Sequence, residues 1–153
     1  MTAMQIDSER IRIDLPTGWE GEVYRTSAVP QAEGTNRAVL HAATFPLPVE
    51  RGDYGGGAVE MMRSDDIFVS LFEFEPASAT QTLFAANRPD HLDPDDFSTS
   101  TLQRLIPGQS GVQRFFSEGG RAFCLYVVLG SHTSRRALVE EVNQLLTTLE
   151  VEP

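Results

Sequence analysis

The sequence predicts an α+β fold: a single domain from Met1 to Pro153 in which an antiparallel β-sheet of about five to seven strands is covered by a long C-terminal helix on one face and shorter helices on the other, an α/β/α-like sandwich. Three observations predict it. Several segments alternate, or run apolar, with the two-residue period of strands. A Gly-Gly pair joins two of them as a hairpin. After Gly130 the apolar period changes to that of a helix.

The first strand is Arg10 to Leu15, where Ile11, Ile13 and Leu15 alternate with Arg10, Arg12 and Asp14, giving one wet face. Pro16-Thr17-Gly18 breaks it. Trp19 to Tyr24 alternates again. Arg37 to Phe45 has two largely apolar faces, Val39/Ala43/Phe45 and Ala38/Leu40/Ala42, which marks a covered interior strand. Ile67 to Phe74 is of the same kind, with Ile67, Val69 and Leu71 on one side and Phe68, Phe72 and Phe74 on the other.

Val112 to Phe116 and Arg121 to Leu129 are strands joined by Ser117-Glu118-Gly119-Gly120, and the glycine pair supplies the positive φ angles of a tight hairpin. Leu138, Val142, Leu145, Leu146 and Leu149 then form a helical stripe, and the helix, extending toward Val151, is expected to lie across the sheet. Between Pro76 and Ser110 no long periodic segment stands out. Because compact domains rarely hold so long a structureless stretch, a short helix or strand is expected around Leu102 to Ile106, and another short helix over Gly57 to Met62.

Composition excludes several chemistries. All 12 cations are arginine, so no lysine is present for a Schiff base or a Walker-type phosphate loop, and no cofactor is expected. Cys124 is the only cysteine and sits in the apolar run Ala122 to Val127, as a small core residue rather than a nucleophile. The net charge of −10 opposes nucleic acid and anionic membranes. No run reaches the length of a membrane span, and the acids within Met1 to Arg12 do not suit a signal peptide, so a cytoplasmic protein is expected.

The opening Ile11-Arg12-Ile13-Asp14-Leu15-Pro16-Thr17-Gly18-Trp19, followed by alternating strands and closed by Leu138 to Val151, resembles the superfamily that contains PsbP-like photosystem subunits and Ran-binding Mog-type proteins. The resemblance implies a central antiparallel sheet covered by helices on both faces, and a role as an adaptor or assembly factor rather than an enzyme. Only Gly55 to Met62 is available where that superfamily has an early long helix.

No catalytic constellation is legible. Gly108-Gln109-Ser110-Gly111 lacks the second glycine of a nucleophile elbow, because Val112 stands there, and reads as a turn entering a strand. His41, mid-strand, reads as a hydrogen-bonded sheet residue, and Trp19, Tyr24, Phe115 and Phe116 read as packing. Two segments offer ligands. The acidic loop Asp90, His91, Asp93, Asp95 and Asp96 holds oxygen and nitrogen donors suited to a divalent cation, or is a solvated turn. Ser131, His132, Thr133, Ser134, Arg135 and Arg136 open the last helix with cations where acids are favoured, so the segment can hold a phosphate, sulfate or partner carboxylate. The alternative there is plain capping by Thr133 or Ser134, with Arg136 offset by Glu140.

These readings point to a non-enzymatic protein-binding or assembly module whose partner presents a basic surface. The alternatives are a small-ligand carrier or an enzyme acting on an anionic metabolite, at a sheet edge or beside Arg135 and Arg136, and a homo-oligomer.

Overall fold

The computed structural model describes residues 2–26 and 37–153. In chain order the strands are β1 (Thr2–Ser8), β2 (Ile11–Pro16), β3 (Glu20–Arg25), β4 (Ala38–Ala43), β5 (Ile67–Glu73), β6 (Ser110–Glu118), β7 (Arg121–Leu129) and β8 (Glu150–Val151), with helix α1 (Arg135–Leu146) between β7 and β8. They form two antiparallel sheets, one ordered β1-β2-β8 and the other β3-β4-β5-β7-β6. The architecture is therefore mainly β, and the expected α+β sandwich of one sheet between helical layers is overturned. Among the described residues α1 is the only helix of seven or more.

Two features of the chain account for the correction. First, the face assigned to a helix alone is shared. Ile11, Ile13 and Leu15 of β2 and Leu138, Val139, Val142 and Leu145 of α1 together bury the inner face of the five-stranded sheet, where Leu40, Leu71 and Leu125 lie side by side across β4, β5 and β7. Second, the opposite face has no helical layer. Phe45, Ala58 and Val59, from the irregular chain after β4, pack there on Phe68, Tyr126 and Val128, and short 3-10 turns at Pro76–Thr80 and Thr82–Phe84 bring Phe84 against Phe74 and Phe115.

The C-terminal helix is also shorter than its apolar stripe. Thr147 Oγ1 donates to Gln144 O (2.7 Å) and Thr148 Oγ1 to Leu145 O (2.7 Å), local bonds that compete with helix continuation. Leu149 still reaches the core, but from a turn, and Glu150–Val151 then pair with Arg12 and Ile11. The expected element at Leu102–Ile106 is irregular chain, tethered to the sheet where Gln103 N donates to the Tyr126 hydroxyl (2.8 Å). The expected helix over Gly57–Met62 is a single 3-10 turn at Val59–Met61.

The β6–β7 hairpin turns on Gly119 and Gly120, both at positive φ. The β1–β2 hairpin makes the same kind of turn with Glu9 and Arg10, at φ 56° and 57°, which costs these L-residues energy that glycine would not incur. Arg121 offsets that cost. Its nearly buried guanidinium donates to Glu9 O (3.1 Å), Arg10 O (3.3 Å) and Glu152 O (2.9 Å) while holding Glu73 through two bonds of 2.8 and 3.0 Å. One side chain thus ties the first hairpin and the C-terminal strand to the β5–β7 pair.

Candidate functional site

A groove of about 610 Å³ lies between α1 and the loop at 89–96. Its loop wall is set by local chemistry. Asp93 accepts from Asp95 N (2.8 Å) through Oδ1, and Pro94 occupies the first position of the 3-10 turn Pro94–Asp96, so the loop turns sharply after Leu92. The Leu92 side chain is buried in the main core. Asn143 of α1 grips the Leu92 backbone from both sides, accepting from its N–H (2.8 Å) and donating to its carbonyl (3.0 Å). The groove therefore has a fixed wall rather than a loose lip.

Leu92 and Val139 form the groove floor. His91, Asp93 and Pro94 line one side, and Arg136, Glu140, Gln144 and Thr147 the other. The two segments singled out in the sequence meet here, with different fates for individual residues. Arg136 faces the groove, and among the described residues no carboxylate lies within ion-pair distance of it, Glu140 included. Arg135 turns the other way, toward Asp95 (3.8 Å) and the His132 carbonyl (3.0 Å). Asp96 pairs with Arg114 (3.1 Å). Asp90 and His91 are exposed. Asp93, Asp95 and Asp96 thus face separate partners, and among the described residues no three His, Cys, Asp or Glu side chains gather as a metal would require. Ser131 and Thr133 bond to each other (2.9 Å), and Ser134, at the N-cap, makes no capping bond, so the capping expected of Thr133 or Ser134 is not made.

Asn143, Gln144, Thr147, Leu92 and Val139 were not anticipated. A signal existed: Arg136, Glu140, Asn143, Gln144 and Thr147 repeat at offsets of 4, 7, 8 and 11, the same spacing as the leucine stripe set two residues along. One side of α1 enters the core and the other walls the groove.

A second polar cluster lies at the outer face of β3, β4 and β5 and is internally satisfied. His41 is wholly buried; its Nε2–H donates to Asp53 O (2.8 Å), and its Nδ1 accepts from Arg51 Nε–H (2.7 Å). Tyr24 donates to the Asp53 carboxylate (2.7 Å), Ser70 to Asp53 O (2.7 Å), and Arg51 also pairs with Glu22. Burial, opposed by the bond to Asp53 O, lowers the His41 pKa to about 4, so the ring is neutral at physiological pH. Burial and the Asp53 bond raise that of Tyr24. His41 is thus the hydrogen-bonded sheet residue expected, and it latches the chain at 51–53 onto the sheet. Cys124 is buried, and desolvation pushes its thiol up to about 11, as befits a core residue. Ser110 is buried, and its hydroxyl has no hydrogen-bond partner, so no base activates it.

No helix among the described residues is long and apolar enough to cross a membrane. Compared with protein-family models, with curated proteins and with solved structures, the chain matches none.

Replacing Asn143 with alanine is expected to leave the Leu92 N–H and carbonyl without their partners, at a cost of about 1 to 3 kcal/mol. Denaturant unfolding measures the loss. Hydrogen exchange should show the Leu92 amide opening far faster than in the parent, while the β7 amides change only with global stability.

Proposed function

We propose that this chain is a protein-binding module whose contact surface is the groove between α1 and the 89–96 loop, and that it takes an extended, basic segment of its partner. One observation carries the reading. The groove has a wall fixed by the Asn143–Leu92 clamp, an apolar floor, and a rim on which Asp93 and Glu140 face a single guanidinium, Arg136. A fixed wall lowers the ordering cost of association, and an apolar floor beneath a polar rim is the usual anatomy of a docking site. Asp90, next along the loop, adds to the negative rim, because only Asp95 and Asp96 are occupied by Arg135 and Arg114.

The net charge of −10 favours encounter with a basic partner. The resemblance of Ile11–Trp19 to the PsbP-like and Mog-type superfamily points the same way, toward partner binding rather than turnover.

The test is capture of the tagged protein from its own host, followed by native mass spectrometry, in parallel with the variant Asp93→Lys/Glu140→Lys. A stoichiometric second protein with the parent, lost with the variant while the variant's circular dichroism and unfolding midpoint stay unchanged, supports the reading. Equal capture by both proteins removes the groove from it. A reproducible small added mass without a second chain replaces it with the ligand-carrier reading.

A further inference from the structure

The two edges of the five-stranded sheet differ. At β6 the main-chain groups that point away from β7 are covered: Gly111 exchanges bonds with Ser98 (2.9 and 3.0 Å), Ser117 N donates to Ala86 O (3.1 Å), and the Arg114 guanidinium donates to Gln113 O (3.0 Å). At β3 they are open. Thr26 N donates to Arg37 O (2.8 Å), and the register from Glu20↔Ala43 to Arg25↔Ala38 then gives Glu20, Glu22 and Tyr24 the bonds to β4. Gly21 and Val23 therefore aim their N–H and C=O groups outward in the plane of the sheet, and among the described residues these groups have no partner.

The open edge borders a cleft of about 210 Å³, with Glu20, Gly21 and Glu22 on one wall and Leu47, Val49 and Arg51 on the other. Glu20 and Glu22 flank Gly21 and share the outer face, where Glu22 stands opposite His41. Each carboxylate is half used. Glu20 Oε1 accepts from Leu47 N (3.1 Å) and Glu22 Oε1 from Arg51 Nη2, whereas among the described residues neither Oε2 has a partner. Arg51 cannot serve both acids, because its other nitrogens donate to His41 Nδ1 (2.7 Å) and Pro48 O (2.7 Å) and its side chain is only 7% exposed. Val49, in contrast, is 95% exposed. This lining suits a cation on an aliphatic stem, with the stem on Leu47 and Val49 and the head on the two free oxygens.

The same charges choose between occupants. A second copy of β3 laid antiparallel on the edge brings the Glu20 and Glu22 side chains of both chains onto one face, where they repel. A strand with lysine or arginine at those places turns the repulsion into attraction.

We propose that the open edge of β3 is a docking site for an extended basic segment of a partner protein, which joins the sheet as an added strand. Its main chain pairs with Gly21 and Val23, and a lysine or arginine side chain enters the cleft between Glu20, Glu22, Leu47 and Val49. The site shares no residue with the groove beside α1 and does not depend on it.

The experiment is a titration of the isotope-labelled full chain with a short capped peptide in which arginine alternates with valine, followed by amide chemical shifts. Saturable shifts are expected at residues 20–25 and 47–51, with 91–93 and 136–147 unmoved. In the added strand the arginines lie opposite Glu20 and Glu22 and the valines opposite Gly21 and Val23, so the peptide N-methylated on its valines should bind about tenfold more weakly. Glu20→Gln/Glu22→Gln keeps the oxygens that Leu47 N and Arg51 use, so it should fold as the parent does and bind several-fold more weakly. A peptide with glutamate in place of arginine should not bind. Shifts confined to 91–93 and 136–147 would move the peptide to the groove, overturning this site and leaving the groove reading standing. Concentration-dependent shifts at Gly21 and Val23 without peptide would make a second copy the occupant and overturn it as well. Equal binding of the N-methylated or the glutamate peptide, or the absence of any saturable shift, would do the same.

Discussion

Arg121→Met is expected to lower the unfolding free energy by about 3 to 5 kcal/mol, the usual cost of removing one partner from a buried ion pair. The loss has three parts. Glu73, largely buried with its partner, keeps a carboxylate with no cation. The carbonyls of Glu9, Arg10 and Glu152 lose their donor. The Glu9-Arg10 turn loses the contacts that offset its left-handed backbone. Packing against the Phe123 ring, 5.2 Å from the guanidinium carbon, also goes. Urea unfolding monitored by Trp19 fluorescence gives the number. The double variant Arg121→Met/Glu73→Leu should recover part of it by removing the stranded charge. A loss below about 1 kcal/mol for Arg121→Met would mean that the clamp does not tie the hairpin to the sheet.

Acid should unlatch the opposite side of the molecule. The folded state holds His41 neutral with a pKa of about 4, against 6.5 for an unperturbed histidine. Between those values the unfolded chain binds the proton and the folded chain does not. Stability is thus fully present above about pH 6.5, falls as the pH drops toward 4, and falls no further from this group below that. The total is about 3 kcal/mol. The structural reason is direct. A proton on Nδ1 takes the place of the Arg51 Nε–H and sets two cations against each other beside Tyr24, Asp53 and Glu22. Unfolding curves of the parent and of His41→Gln at pH 7 and pH 4.5 isolate the effect. The parent should lose most of this amount over the interval, beyond whatever the variant loses. Equal losses in both proteins would assign the acid sensitivity to other groups.

The strands of the five-stranded sheet were legible because their apolar alternation is dense and their ends carry turn residues, as at Gly119-Gly120 and Asp65-Asp66. Of the second sheet only β2 was, through Ile11, Ile13 and Leu15. Its first strand alternates only weakly through Met4 and Ile6, and its turn is Glu9-Arg10, which holds a glycine-type conformation only because Arg121, more than 100 residues away, reaches it. The end of α1 was overextended for a related reason. Leu149 continues the apolar stripe, while the Thr147 and Thr148 hydroxyls that end the helix leave no mark in the period. At the groove, Arg136, His91 and Asp93 could be singled out as charged residues in loops and caps. Asn143 could not, because its importance lies in a pair of bonds to the backbone of Leu92.

The most direct test of the groove as a docking surface is hydrogen exchange on the chain alone and on the captured complex. If the partner lies between α1 and the 89–96 loop, protection should rise at residues 91–93 and along 136–147, and the outer face of the five-stranded sheet, where the Tyr54 ring stacks on Phe72 and meets Tyr126 edge-on, should be unchanged. Protection confined to that outer aromatic face, with 91–93 and 136–147 exchanging as in the free chain, would contradict the account.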